Sequence, residues 1–133
     1  MHIAVVALLV PDYDAGLAFY ADGLGFEVTS DEDQGNGKRW VTVRPPGGTT
    51  ELLLARAVND QQRAAIGNQT GGRVGFFLRT DDFTTTLATL QTAGATLHEA
   101  PRNEPYGQVV VWSDPFGNKW DLLGSLNYST HMA

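Results

Sequence analysis

One nine-residue pattern occurs twice in the sequence, and this internal repeat limits the possible folds more than any other feature. The pattern is Pro-x-Gly-x-x-x-acid-Leu-Leu, which occupies residues 45–53 and again residues 115–123. Two candidate helices, in residues 12–25 and 81–94, also have equal lengths. Because self-similarity at a fixed period marks repeated supersecondary units, the sequence predicts a duplicated domain with a pseudo-twofold axis.

Each half of the chain shows the order strand, helix, strand, strand, strand. Apolar β-branched runs predict the strands, and the aspartates of residues 12–14 and 81–82 offer caps for the helices. The predicted strands are residues 3–10, 26–29, 40–43 and 51–54 in the first half and 73–80, 95–98, 108–112 and 120–123 in the second. A short helix is predicted between the halves, at residues 59–66.

This order predicts an α+β fold of two βαβββ modules within a single domain, residues 1–125. Module one is residues 1–57, the linker is residues 58–71, and module two is residues 72–125. Residues 126–133 are predicted to form a tail.

Composition excludes several kinds of function. The chain has no cysteine, which rules out disulfides, thiolate metal sites and cysteine nucleophiles. Its net charge is −6 without any Lys/Arg run, which argues against a nucleic-acid partner. No apolar run approaches the roughly 20 residues of a membrane span, and Pro11 and Asp12 end the first apolar stretch too early for a signal peptide. We therefore expect a cytoplasmic protein without a membrane partner. The acidic charge serves either solubility or the attraction of a cationic ligand.

The repeat gives Glu51 and Asp121 equivalent positions. Because successive side chains of a strand point to opposite faces of the sheet, each carboxylate faces away from the side on which its neighbouring leucine, Leu52 or Leu122, lies. If those leucines pack under the helices, both carboxylates point to the other face of their sheets. They then either serve a site, because a buried carboxylate is costly unless it is paired or bonded, or sit at a wet rim and accept hydrogen bonds from a neighbour such as Arg79.

Five short segments, in this order, are similar to the vicinal-oxygen-chelate superfamily, which contains glyoxalases, bleomycin-resistance proteins and dioxygenases. They are residues 9–14, 19–20, 24–26, 80–82 and 114–118. The resemblance covers nearly the whole chain and implies two modules whose mixed sheets curl into an open cup around a small-molecule ligand. It also implies a homodimer, since members of this length commonly form one.

The resemblance further implies where metal ligands would stand. Metal-using members place them in the first and last strand of each module, positions that correspond here to Val5, Glu51, Gly75 and Asp121. Valine and glycine have no side-chain lone pair, so only two carboxylates remain where catalytic zinc sites usually have three protein ligands. We therefore expect no cofactor. The alternative is a divalent metal held by Glu51 and Asp121, or an acid–base pair formed by these two residues.

The three histidines are not expected to replace the missing ligands. His2 has the wrong strand parity relative to Val5, His98 lies away from the four ligand positions, and His131 belongs to the tail.

A cup without a metal can still bind a ligand through flat apolar walls. Phe77 shares the strand parity of Gly75, whereas Trp120 should pack in the core if Asp121 faces the cup. Gly75 either leaves room for the ligand or relieves crowding in a bent strand. The predicted ligand-binding set is Val5, Trp40, Glu51, Leu53, Gly75, Phe77, Arg79, Tyr106, Trp112 and Asp121.

A loop at residues 102–107 precedes the seventh predicted strand. It either holds a polar end of the ligand or is a turn held by a contact between Arg102 and Glu104.

The leading functional hypothesis is metal-free sequestration of an aromatic or cationic compound, as in antibiotic resistance. The competing hypotheses are a metal-dependent lyase, isomerase or dioxygenase similar to lactoylglutathione lyase, and a structural module without a ligand. In the enzyme hypothesis Glu51 and Asp121 would be the catalytic residues.

Overall fold

In the computed structural model, which describes residues 1–125, the chain divides between Ile66 and Gly67 into two units. This division falls inside the segment predicted to be the linker, residues 58–71. The predicted tail, with His131, lies outside the described residues.

The first unit contains four strands and three helical segments. In chain order they are β1 (Val5–Val10), α1 (Tyr13–Leu17), a π-helical continuation of α1 (Ala18–Gly23), β2 (Glu27–Gly35), β3 (Lys38–Arg44), β4 (Glu51–Arg56) and α2 (Asp60–Ala65). The sheet order is β1-β4-β3-β2. Only the β1–β4 pair is parallel, so the sheet is mixed.

The second unit repeats this plan with one additional strand. Its elements are β5 (Phe76–Arg79), α3 (Phe83–Ala93), β6 (Thr96–Leu97), β7 (Arg102–Glu104), β8 (Gly107–Ser113) and β9 (Lys119–Leu123). The order is β5-β9-β8-β6, and β7 pairs with the same strand β8. The β5–β9 pair is parallel, as β1–β4 is in the first unit. The α+β fold class is therefore confirmed, with two mixed sheets that do not close into a barrel.

Aspartates begin both main helices, as the sequence predicts. The Asp12 carboxylate accepts a hydrogen bond from the Ala15 amide at 2.7 Å, and the Asp82 carboxylate accepts one from the Thr85 amide at 3.1 Å. These side chains satisfy amide groups that have no partner within the first turn of a helix. Gly94 ends α3 in the left-handed conformation, which glycine adopts without a Cβ penalty.

The two copies of the repeated pattern form equivalent hairpin turns. Gly47 has φ 76° and Gly117 has φ 94°, so the glycine of each copy occupies a left-handed position in the turn before the last strand. The glycine of the pattern is thus required by the turn, and the acid-Leu-Leu segment after it belongs to β4 or β9.

The strands β1 and β5 begin at Val5 and Phe76, later than predicted, and two other strands differ from the predictions more strongly. β2 extends to Gly35 through Asp31 and Asp33, because backbone pairing with β3 holds this polar segment without an apolar alternation that the sequence could reveal. β7 forms where a loop was predicted, through antiparallel pairing of Arg102–Glu104 with β8.

Candidate ligand site on the open sheet faces

Each sheet has one face covered by a helix and one face opposite it, which we call the open face. In the first unit, a Cβ added to Gly16 of α1 would lie 3.1 Å from Leu54 and 3.3 Å from Val10, so α1 covers the face that carries these residues. Side chains alternate along a strand, and Glu51 and Leu53 therefore belong to the open face.

Glu51 is held in place by two threonines, Thr42 on the adjacent strand β3 and Thr29 on β2 beyond it. The Thr29 hydroxyl donates to Oε2 of Glu51 at 2.6 Å and also lies 2.6 Å from the Thr42 hydroxyl. These hydrogen bonds lower the pKa of Glu51, with a smaller contribution from the charge of Arg44. Glu51 is thus a fixed anion whose partners are threonines. The sequence suggested Arg79 as a hydrogen-bond donor to such a carboxylate. In the structure the Arg79 guanidinium donates to the carbonyl of Gly124.

Val5 is the register partner of Glu51 in the parallel β1–β4 pair. Paired residues of adjacent strands project from the same face. The side chain beside this carboxylate is therefore an apolar one.

The second unit places Asp121 in the same way. Its strand neighbours Trp120 and Leu122 are buried on the helix-covered face, whereas Asp121 is half-buried on the open face. The register partner of Asp121 in the parallel β5–β9 pair is Phe77, whose side chain is 59% exposed. The carboxylate of this unit also has an apolar neighbour.

Asp121 differs from Glu51 in its hydrogen bonding. Its Oδ1 is buried and has no hydrogen-bond partner among residues 1–125. Burial raises the pKa of Asp121, the charge of Arg102 opposes this rise, and the charge of Glu99 adds to it. The second unit therefore holds a carboxyl group that binds a proton more readily than an ordinary aspartate.

A charged cluster lies beside Asp121 in the second unit. Arg102 binds Glu99 at 3.0 Å and Glu104 at 2.6 Å, and hydrogen bonds to Glu104, Glu99 and Tyr106 raise its pKa. The contact expected between Arg102 and Glu104 is present. However, it lies in the β7–β8 hairpin and not in a loop.

The donor set does not fit the metal site of the metal-using relatives. Val5 stands beside Glu51, and Phe77 stands beside Asp121, so neither carboxylate has a second ligating side chain at the paired position. Across the described residues, no three His, Asp or Glu side chains are grouped closely enough to hold a metal ion. A catalytic zinc usually has three protein ligands.

The space predicted above Gly75 is filled. A Cβ at this position would lie 2.3 Å from Cγ2 of Thr70, and the Thr70 hydroxyl is fixed by a 2.6 Å hydrogen bond to the carbonyl of Arg73. The expectation that Gly75 makes room for a ligand is therefore wrong, because a threonine of the same unit occupies that space. Gly75 also precedes β5, where it donates its amide to the Lys119 carbonyl.

The predicted aromatic wall separates into exposed rings and one core ring. Trp40 is 38% exposed, Phe77 59% and Tyr106 43%, so all three offer ring surface to a ligand. Trp112 is fully buried and stacks on Trp120, with ring centroids 5.1 Å apart. The prediction that Trp112 lines the site is therefore corrected: it is a core residue of the second unit.

The two described histidines, His2 and His98, do not form a metal-binding arrangement. His98 is exposed, and its Nε2 is hydrogen-bonded to the Ser113 hydroxyl. His2 is exposed ahead of β1.

Sequence reasoning missed the residues that tune the two carboxylates. Thr29 lies on β2 beyond a register shift between Val28 and Ser30, so simple alternation does not assign its face. Glu99 and Arg102 act on Asp121 from outside its own strand. Only the charge pattern of residues 99–104 was available as a signal.

Comparison with known proteins agrees with this architecture. The sequence profile of the Glyoxalase/Bleomycin resistance protein/Dioxygenase superfamily matches residues 2–122. An uncharacterized protein from Shewanella frigidimarina is 46% identical over 91% of both chains. TnmS3, an antibiotic binding protein from Streptomyces sp. CB03234, is 30% identical with a TM-score of 0.74, over 94% of this chain and 96% of its own. A superfamily member from Sphaerobacter thermophilus is 29% identical with a TM-score of 0.72, over 94% and 98%. Within residues 1–125, no helix is long and apolar enough to cross a membrane. The chain therefore belongs to the glyoxalase/bleomycin resistance protein/dioxygenase superfamily.

Proposed function

We propose that this protein binds an aromatic or cationic small molecule and sequesters it without a metal, as in antibiotic resistance. In this proposal it acts in the cytoplasm as a homodimer, and its ligand binds to the open face of a sheet.

The observation that carries the proposal is the neighbour of each carboxylate. Where a metal site needs a second ligand, Glu51 has Val5 and Asp121 has Phe77 beside it. An apolar side chain next to an anionic group suits an organic ligand with a polar or charged substituent, because pockets for such ligands combine apolar walls with a few polar groups.

Exposed rings on both units support an aromatic ligand. Trp40 in the first unit and Phe77 and Tyr106 in the second have large exposed fractions. Aromatic rings with exposed faces provide surface on which a flat ligand can stack. The likeness to TnmS3, an antibiotic binding protein, points in the same direction.

Trp40 gives the test a built-in reporter. It is 38% exposed, whereas Trp112 and Trp120 are 0% and 4% exposed, so a ligand on the open face should quench Trp40 alone. We expect mitomycin C or metal-free bleomycin to quench the tryptophan fluorescence saturably, with the same Kd in the presence and absence of a chelator. The Trp40→Phe variant should retain binding by calorimetry but lose the fluorescence response.

Native mass spectrometry of protein prepared without chelators or metal-affinity resin completes the test. A dimer free of metal, with or without a co-purifying small molecule, supports the proposal. One tightly held divalent ion per chain, or binding that disappears with a chelator, contradicts it.

A second candidate function is a lyase or isomerase reaction, favoured by one observation. The pKa of Glu51 is lowered and that of Asp121 is raised. A carboxyl group whose pKa is raised can serve as a general acid, and one whose pKa is lowered can serve as a base.

This candidate predicts formation of S-lactoylglutathione from methylglyoxal and glutathione, tested with Zn²⁺, Ni²⁺, Mg²⁺ or no metal added. Asp121→Asn should then lower kcat by at least about 100-fold, the usual contribution of general acid–base catalysis. The absence of turnover under all four conditions would remove this reaction as a candidate.

A further inference from the structure

The first unit contains a cavity of about 500 Å³ at the end of β4. Its apolar wall includes Trp40, Leu53 and Val58. Its volume lies within the range of about 300–1,000 Å³ that small-molecule sites occupy. The cavity takes its lining from both faces of the sheet: Trp40 and Leu53 come from the open face, and Leu54 comes from the helix-covered face.

The charge of this cavity is opposite to that of the chain. Lys38, Arg39 and Arg56 line it, and no aspartate or glutamate does. Two other cavities in the described residues differ in this respect: one is lined by Asp31 and Asp33, and the other by Asp81 and Glu104. In a chain of net charge −6, a cavity lined only by cationic charges is a local feature and not an average property of the surface.

The charge of Arg39 is already neutralised. Its guanidinium binds Asp14 at 2.9 Å and Asp31 at 2.8 Å. These contacts fix it over the ring of Tyr13, with its central carbon 5.3 Å from the ring centroid. Arg39 therefore positions Tyr13 and has little charge to offer a ligand.

The charge of Arg56 is not neutralised in this way. Its guanidinium lies 5.4 Å from the centroid of Tyr13, and within residues 1–125 it takes part in no ion pair with a carboxylate. Tyr13 is 8% exposed and is held by the hydrogen bond that its hydroxyl accepts from the Arg39 amide. The fixed ring of Tyr13 thus supports the planar guanidinium of Arg56 at the cavity wall. The N–H groups of this guanidinium can bind an anion in a bidentate manner.

We propose that this cavity binds a small aromatic acid, with the ring against Trp40 and the carboxylate or equivalent anion on Arg56. The inference rests on the proposed small-molecule binding function. It specifies that the aromatic ligand of this cavity is an acid. Lys38 supplies a second positive charge at the exposed rim. The long-range field of an acidic protein repels an anion, so the affinity depends on these local contacts.

Three naphthalene probes that differ only in charge test this inference. They are 2-naphthoate, the neutral 2-naphthamide and the cationic 2-naphthylmethylammonium, each measured for Kd by ligand-observed NMR on the full chain. We expect 2-naphthoate to bind at least about tenfold more tightly than the amide, the gain of a hydrogen bond to a charged group. Added salt should weaken only the naphthoate complex.

Charge-matched variants locate the contact. Arg56→Gln should weaken 2-naphthoate about tenfold and leave 2-naphthamide unchanged within about twofold, whereas Arg63→Gln removes the same charge from exposed α2 and should change neither. Arg56→Lys, which keeps the charge over Tyr13, should retain part of the preference and guards against a folding defect in Arg56→Gln. Trp40→Ala should weaken all three probes.

The outcomes separate this inference from the proposed function. Equal Kd values for the three probes, or equal losses in Arg56→Gln and Arg63→Gln, overturn the inference while aromatic binding stands. Binding of none of the probes overturns the inference as well, and the antibiotic titrations then decide the proposed function independently.

Discussion

Glu51 and Asp121 occupy the same position of the repeat but have different surroundings. Glu51 accepts a hydrogen bond from Thr29, whereas Oδ1 of Asp121 has no partner among the described residues. The sequence predicted both positions and their faces correctly, because alternation against buried leucines is a local rule. It could not predict their protonation behaviour, which depends on residues from other strands.

Thr29→Val should raise the pKa of Glu51, because valine keeps the shape of threonine but cannot donate to the carboxylate. The pKa of Glu51 is lowered in the folded state from its ordinary value of 4.5. The resulting stability is present above that value and is lost as the pH falls through the folded pKa. The variant should therefore lose less stability in acid than the parent protein.

A carboxyl carbon NMR titration of Glu51, with denaturant unfolding at neutral and acid pH, measures both effects. Thr50→Val is the matched control, because Thr50 is exposed and adjacent in sequence. An unchanged Glu51 titration in Thr29→Val would show that Thr42 alone sets this pKa.

Trp112 shows what a residue-by-residue prediction leaves out. The ring was expected in the site because it is large and aromatic, but it pairs directly with Trp120 across the β8–β9 hairpin. Directly paired residues share a face, and Trp120 was already expected in the core. Counting residues outward from the turn that joins these two strands pairs Trp112 with Trp120. This pairing would have placed Trp112 in the core as well.

At the scale of elements, the segment before β5 is determined by a close contact. Gly75→Ala should destabilise the protein by about 1–3 kcal/mol, because the new methyl group collides with Cγ2 of Thr70. Thr70 cannot turn away without losing its hydrogen bond to the Arg73 carbonyl.

Thr70→Ser removes the colliding methyl group and keeps the hydroxyl. Alone it should change stability by no more than about 0.5 kcal/mol, and combined with Gly75→Ala it should recover most of the loss. Urea unfolding of the two single variants and the double variant measures this coupling. Additive effects would mean that the Thr70 methyl group is not what opposes a side chain at position 75.

The additional strand β7 also belongs to this scale. Its three residues are polar, so no hydrophobic alternation marks them, and the strand exists because Arg102 and Glu104 pair with β8 on either side of a tight turn. The sequence predicted the ion contact between these two residues but not the hairpin that brings them together. Polar edge strands are specified by pairing and turn geometry, which a search for apolar runs does not detect.

At the scale of the whole chain, duplication was the most informative property of the sequence. It predicted the βαβββ order that both units share, apart from the additional strand β7, and the equivalence of the two hairpins. A constant spacing from the helix-capping aspartate nevertheless equated Val5 with Gly75, whereas strand register makes Phe77 the partner of Asp121. Val5 lies seven residues before the capping Asp12 (12 − 5), whereas Phe77 lies only five residues before the capping Asp82 (82 − 77). Positions at the same spacing in the two halves of the sequence therefore do not always occupy equivalent positions in the two sheets.

The two units also bury their aromatic rings differently. The π-helical segment of the first unit buries Phe19 and Tyr20 in succession, whereas the second unit buries the parallel indoles of Trp112 and Trp120, with an angle of 14° between their planes. Two closely stacked indoles couple their electronic transitions, and this coupling produces a circular dichroism signal that disappears once the rings separate. The second half of the molecule thus carries its own optical label, by which its order of unfolding relative to the first half can be followed without attaching a dye.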